Sequence, residues 1–249
     1  MTTPILNLSA YKFVRLDDAP ALREHLCKAA AALGLKGTIL LAEEGINLFL
    51  AAAEAPLREF VAVLHADARF ADLDPKESWS EAVPFGKLLV KVKREIIRMN
   101  HPAIRPDRAP RAPALAPETL ARWLERGVDD AGRELVMLDT RNGFEVDQGG
   151  FDGAIDWRLD KFSDFPAAVA AHGEALRGKT VVSYCTGGIR CEKAAIYLEQ
   201  QGLAAAVWQL DGGILKYFEK TAGAPHYHGG CFVFDERETL DPGLQAVAP

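Results

Sequence analysis

Cys185 opens the run Cys185-Thr186-Gly187-Gly188-Ile189-Arg190, set between a stretch that reads as a buried strand, Thr180 to Tyr184, and one that reads as a helix, Cys191 to Gln201. A cysteine so placed is a candidate nucleophile. Two glycines let the backbone curl around the sulfur with its amide N–H groups turned inward, and the helix presents its positive N-terminal end. Arg190 adds a permanent positive charge at the far edge of the loop. That combination lowers a cysteine pKa and stabilises a thiolate, a persulfide or an oxyanion. A small buried thiol in an ordinary glycine turn would need neither the paired glycines nor the arginine. Thr186, Gly187, Gly188, Ile189 and Cys191 form the active-site loop around Cys185. Cys191 is either a resolving thiol or a packed helix residue.

Loop length separates two chemistries. Tyrosine and Cdc25-type phosphatases place five residues between the cysteine and the arginine to enclose a tetrahedral phosphate, whereas rhodaneses place four, as this chain does. Upstream, the apolar stretch Leu135 to Asp139 runs into Asp139-Thr140-Arg141, then Phe144-Glu145, then Gly150-Phe151-Asp152-Gly153-Ala154-Ile155. This resembles the rhodanese pattern of Asp-x-Arg, an aromatic-Glu pair and a Gly-x-x-Gly-Ala-Ile turn. Phe151 stands where many rhodaneses have a histidine. Arg141 has two readings, a catalytic cation beside Arg190 or a buried ion pair with Asp139 or Glu145 that orders the end of the sheet.

The elements that must position this loop follow from periodicity. Strands at Leu135 to Leu138, Ala154 to Ile155, Thr180 to Tyr184 and Ala206 to Leu210 alternate with helices at Ala116 to Arg126, Phe165 to Leu176, Cys191 to Gln201 and Ile214 to Thr221. Such alternation predicts a parallel α/β sheet, with the reacting loop at the carboxyl end of a strand. The first hundred residues read differently. Strands at Tyr11 to Leu16, Gly37 to Ala42, Ile46 to Leu50, Ser78 to Val83 and Lys87 to Ile97, with helices at Ala19 to Leu33 and Leu57 to Leu64, give β-α-β-β-α-β plus an extra strand. The fold class is therefore α/β, an N-terminal ferredoxin-like α+β domain (1–100) followed by a rhodanese-like α/β domain with a parallel sheet (115–225). Residues 101–114 read as a basic, proline-rich linker, and 226–249 as a C-terminal extension.

Composition excludes several classes. The 249 residues, 49% of them hydrophobic, suffice for two ordinary cores. No secretory leader or long apolar run appears, which predicts a cytoplasmic protein and no membrane partner. Four scattered cysteines, 27, 185, 191 and 231, predict reduced thiols. His226, His228 and Cys231 do not have a spacing that establishes a metal site, so no metal is assigned. No nicotinamide or flavin Gly-x-Gly-x-x-Gly signature is present, and no cofactor is identifiable from sequence. The net charge of −6 hides a segment, Phe85 to Arg111, with eight basic and two acidic residues. Lys87, Lys91, Lys93, Arg94 and Arg98 are its candidate RNA contacts, against the alternative of a solvated face.

Taken together, Gly37-Thr38-Ile39-Leu40-Leu41-Ala42-Glu43-Glu44-Gly45-Ile46-Asn47, Val90-Lys91-Val92-Lys93-Arg94-Glu95-Ile96, Asp139-Thr140-Arg141-Asn142 and Cys231-Phe232-Val233-Phe234-Asp235 resemble the rhodanese-domain tRNA uridine 5-hydroxylases (TrhO) over residues 10 to 240. Leu48-Phe49 and Phe162-Ser163-Asp164-Phe165-Pro166 depart from that pattern. The resemblance implies an oxidoreductase that hydroxylates uridine 34 in the tRNA anticodon loop. It also implies dioxygen and an electron donor as co-reactants, with Cys185 as the active-site cysteine, a persulfide or thiolate. By motif position Cys185 matches the active-site cysteine of that family; from the chemistry of the residues themselves Arg190, and next Arg141, are the further catalytic candidates. The alternative enzyme is a sulfurtransferase carrying sulfane sulfur on Cys185, and the alternative outside catalysis is a rhodanese-like binding module. Oligomeric state is not legible.

Overall fold

A computed structural model of the chain describes residues 4–247. The chain divides into two compact units. One runs to Arg98 and takes in Phe234–Arg237; the other holds Met99–Val233 and resumes at Glu238.

The first unit contains β1 (Ile5–Phe13), α1 (Ala19–Ala32), β2 (Lys36–Ala42), β3 (Gly45–Ala53), α2 (Glu54–His65), β4 (Lys76–Ser80) and β5 (Leu88–Val92). Its sheet has the order β4-β1-β3-β2-β5. The first four strands pair antiparallel, and β5 joins parallel to β2. This is the expected ferredoxin-like arrangement with one strand added at the edge. Leu22, Leu26 and Ala30, four residues apart on α1, and Leu57, Phe60 and Leu64 on α2 share one core with Leu6 and Leu8 of β1 and with Ile46, Leu48 and Leu50 of β3. β1 begins at Ile5 and ends at Phe13, not at Tyr11 and Leu16 as the sequence suggested. Asn7 and Ser9 look loop-like in a linear reading, but they alternate with the core residues and so lie on the opposite face. The Asn7 amide donates to Ser80 Oγ at 2.9 Å across the β1–β4 pair.

The second unit contains β6 (Ala114–Leu115), α3 (Pro117–Arg126), β7 (Leu135–Asp139), α4 (Gly143–Val146), β8 (Gly149–Phe151), α5 (Phe165–His172), β9 (Thr180–Tyr184), α6 (Ile189–Gln201), β10 (Ala206–Leu210), α7 (Gly213–Lys220), β11 (Tyr227–Gly229), β12 (Cys231–Phe232) and β13 (Thr239–Leu240). Strands β6-β10-β9-β7 form a four-stranded sheet, parallel throughout. Pro117 starts α3, where its missing N–H costs nothing, and left-handed Gly127 ends it. The stretch Ala154 to Ile155 is not a full strand and contributes a single parallel bridge, Ile155 to Leu138. The neighbouring glycines instead form β8, which pairs antiparallel with β11. Residues 101–114 lie within this second unit. Ile104 and Ala112 are buried, and Gln209 Nε2 donates to the Ala112 carbonyl at 3.0 Å. Prolines here stiffen a packed segment. Among the described residues no helix is long and apolar enough to cross a membrane.

The β2–β3 turn offers a test of the first unit. Gly45 has a φ of +146°, and a Cβ there would stand 2.0 Å from the Lys12 carbonyl oxygen. That oxygen belongs to a paired strand and cannot move without breaking the ladder. Gly45→Ala should therefore destabilise the protein by roughly 2 kcal/mol or more, read as a lowered urea midpoint.

Candidate active site

Strand β9 delivers Cys185 to the carboxyl edge of the parallel sheet, and the chain turns there into α6. Gly188 makes the turn in the left-handed region, at φ +99°, and its amide N–H donates to Cys185 Sγ at 3.1 Å. The helix begins at Ile189, two residues earlier than the sequence suggested. Ile189, Arg190 and Cys191 thus sit in its first turn, and the irregular loop is only Cys185 to Gly188. The Cys191 amide is engaged with the Gly188 carbonyl at 3.1 Å, so the amides that face the sulfur are those of Gly188 and Arg190. From the other side, Ile214 and Leu215 at the start of α7 donate their amides to the carbonyls of Cys185 and Thr186 at 3.0 and 3.1 Å. Gly213 permits this approach, because a Cβ there would lie 2.4 Å from the Cys185 oxygen.

The electrostatics of the loop favour the thiolate. Cys185 is 1% exposed. Burial alone would raise its pKa, but a hydrogen bond from the Cys191 thiol, the Arg190 charge and the two amides outweigh it and lower the value from 9.0 to about 5. Cys191 moves the opposite way, pushed up by burial and by donating to Cys185. Its sulfur also lies 3.8 Å from Thr140 Oγ1. Arg190 holds its charge although buried, because Glu145 binds it in bidentate fashion, Nη1 to Oε1 at 2.5 Å and Nη2 to Oε2 at 2.7 Å. Its Nε makes no hydrogen bond among the described residues. That leaves one buried donor for an anion at the sulfur.

Glu145, which the sequence offered beside Asp139 as one of the candidate partners for Arg141, binds Arg190. Its carboxylate is anchored by the Asn142 amide at 3.0 Å and faces Arg190. Arg141, fully buried, is bound to Asp139 instead, through Nε at 2.9 Å and Nη2 at 2.6 Å. It also donates to the carbonyls of Gly149 at 2.7 Å and Glu145 at 3.3 Å. The buried ion pair with Asp139 is formed. Arg141 braces the backbone that carries Glu145.

Segments beyond α7 complete the wall of the site. Thr186 Oγ1 donates to the Phe232 carbonyl at 3.2 Å, and the Gly230 amide donates to Gln148 at 2.8 Å. Cys231 is buried, and burial pushes its thiol up to about 12, so it is no thiolate at neutral pH. Phe151 packs edge-on to Tyr184, Tyr217 and Tyr227, at 4.9, 4.8 and 5.1 Å between centroids. The Phe151 ring fills the space that β11 closes by pairing with β8. His228 is exposed and lies 3.2 Å from Asp152. Among the described residues no three His, Cys, Asp or Glu side chains gather as a metal site.

The candidate RNA contacts lie elsewhere. Lys87, Lys91, Lys93, Arg94 and Arg98 are exposed, on or just outside edge strand β5 of the first unit. The arginines of 101–114 differ, for Arg105 binds Asp107 at 3.0 Å and Arg111 binds Glu192 at 2.8 Å.

These features define a class, a rhodanese-type cysteine cradle preceded by a small ferredoxin-like unit. Comparison agrees in both parts: residues 117–220 match the family model described as a rhodanese-like domain, and residues 5–96 match the UPF0176 acylphosphatase like domain. A protein of Variovorax paradoxus (strain S110) named tRNA uridine(34) hydroxylase is 64% identical over 244 residues, 98% of this chain and 92% of that protein. One of the same name from Bordetella avium (strain 197N) is 65% identical over 243 residues, covering 98% and 99%. The chain belongs to the tRNA uridine(34) hydroxylase family.

Three outcomes follow from the electrostatics. Thiolate absorbance at 240 nm should titrate with a midpoint near pH 5 and be missing in Cys185→Ser. Because the folded pKa is depressed, the stabilisation by Cys185 is complete above the unfolded value near 9 and is lost as pH falls through about 5. Stability should therefore rise with pH between those limits more in the wild type than in Cys185→Ser. Glu145→Ala should cost about 3–5 kcal/mol in urea unfolding, since it leaves the Arg190 charge buried without a counter-ion.

Proposed function

We propose that this chain is a tRNA-modifying oxidoreductase that hydroxylates C5 of uridine 34 in the tRNA anticodon loop, with Cys185 as its reacting group. The observation that carries the reading is the buried, low-pKa sulfur of Cys185 beside Arg190 and the Gly188 amide, in a chain nearly two-thirds identical over its length to proteins named for that reaction. Addition of the thiolate to C6 of the uracil converts the C5–C6 double bond into an enolate that is nucleophilic at C5. After one oxygen atom of dioxygen is placed there and two electrons from the donor reduce the other to water, loss of the C5 proton and expulsion of the Cys185 thiolate restore the double bond. Arg190 holds the sulfur as an anion through its charge, and the amides of Gly188 and Arg190 complete the cradle. Thr186, Gly187, Ile189 and Cys191 shape the loop. Arg141 acts through Glu145 and Asp139 as a positioning residue. Dioxygen and an electron donor are the co-reactants of the proposed reaction.

The limits 1–100, 101–114, 115–225 and 226–249 divide the labour in this proposal. The exposed bases Lys87, Lys91, Lys93, Arg94 and Arg98 meet RNA phosphates, and the rhodanese-like part performs the chemistry. A cytoplasmic location goes with such a substrate. The sulfurtransferase reading uses the same cysteine as a persulfide carrier and makes a different product.

Nucleoside mass spectrometry on tRNA from a deletion strain separates the two. The intact gene should restore 5-hydroxyuridine derivatives, while Cys185→Ser should lower them by at least about 10³-fold. Unchanged hydroxylation with altered thiolation would establish the sulfurtransferase instead.

A further inference from the structure

Phe144 is half exposed, at 49%, in a unit that otherwise buries most of its aromatic rings. It stands on α4 immediately before Glu145, the residue that binds Arg190. Phe232 meets it edge to face, with 5.2 Å between centroids and 89° between planes. The Phe232 carbonyl accepts the hydroxyl of Thr186, the neighbour of Cys185. Phe144 is thus one residue removed from a group fixed to the cysteine loop, Phe232 is itself bound to that loop through its carbonyl, and the two come from different parts of the chain. Half of the Phe144 side chain is left in water by this arrangement, more than a ring placed only for core packing needs.

Two rings at right angles form a corner. A flat base laid on one of them meets the other with its edge, the geometry that aromatic and nucleobase π-systems favour. Enzymes that do chemistry on a base take it out of its stack and hold it between aromatic or apolar side chains. Single-stranded loops are recognised through splayed bases in the same way. We propose that Phe144, with Phe232 perpendicular to it, is the seat on which the target pyrimidine stacks as it is presented to Cys185. This inference rests on the uridine-hydroxylase reading and adds the residues that hold the base.

The test uses the full chain and an RNA anticodon stem-loop carrying the fluorescent pyrimidine pyrrolocytidine at position 34. Wild-type protein should bind it and quench the fluorescence. Phe144→Leu, which keeps an apolar contact with Phe232 but offers no π-face, should bind roughly ten- to a hundredfold more weakly and lose the quench at saturation. Phe144→Tyr should restore both. Alkylation of Cys185 by iodoacetamide should proceed at one rate in all three proteins, showing the cysteine loop intact. Quenching by Phe144→Leu equal to that of wild type, or wild-type binding without quenching, overturns the stacking seat while leaving the hydroxylase reading in place. Loss of binding together with a changed alkylation rate assigns Phe144 a structural role and likewise overturns the seat. Absence of RNA binding by the wild type, with no hydroxylated nucleoside in the complemented strain, overturns both readings.

Discussion

Arg190 puts a full positive charge where water has almost no access, and only the bidentate carboxylate of Glu145 makes that state tolerable. The pair does more than cancel. Its geometry leaves the two Nη groups on the carboxylate and Nε without a hydrogen bond among the described residues, so the cation remains a short-range donor toward the sulfur while its outer end is fixed. A lysine could not divide its donors in this planar way. Together with the hydrogen bond from the Cys191 thiol, which lowers the Cys185 pKa most, and with the two amides, the Arg190 charge offsets burial, which by itself works against the thiolate.

Holding Glu145 in place is the task of a second buried pair. Arg141 and Asp139 lie at the end of β7, and the guanidinium reaches forward to the carbonyls of Glu145 and Gly149. One buried salt bridge thereby aligns the backbone that presents the carboxylate of another. Such stacked pairs contribute little net stability compared with an apolar core. Their contribution is positional, for each charge has a single geometry in which all of its partners are satisfied. The four amides and carbonyls that join α7 to Cys185 and Thr186 fix the opposite side, and Gly213 is required because any side chain would collide with the Cys185 carbonyl.

Much of this was legible in the sequence. The glycine-rich turn after an apolar strand, with an arginine five positions beyond the cysteine, marked the candidate site by local chemistry alone. Strand and helix alternation gave the type of both sheets, but it missed edge strand β6 and counted Ala154 to Ile155, which forms only one bridge, as a strand. What escaped were pairings between residues far apart in the chain. Glu145 could have served either arginine, and nothing in its spacing says that its partner lies 45 positions away. Asn7 and Ser9 concealed the start of β1 because polar residues on the sheet face opposite the core resemble a loop when read linearly, although Asn7 is buried there. Prolines in 101–114 suggested a linker, since composition cannot show that Ile104 and Ala112 are buried.

The C-terminal strands carry the remaining argument. The rhodanese-like match ends at residue 220, yet β11 pairs with β8, Phe232 accepts the Thr186 hydroxyl and Tyr227 packs on Phe151. A polar side chain in place of Phe151 would face three tyrosine rings and need a buried hydrogen-bond partner. The phenylalanine and the added strands are therefore parts of one solution, an apolar backing that excludes water behind Arg141 and the cysteine loop. A low local dielectric strengthens the pull of Arg190 on the thiolate. It also explains how the thiol of Cys231 remains neutral within the same wall, for that sulfur is buried without an amide cradle and burial pushes its pKa up. The contrast between Cys185 and Cys231 shows that burial sets the stakes, while donors aimed at the sulfur decide which cysteine ionises.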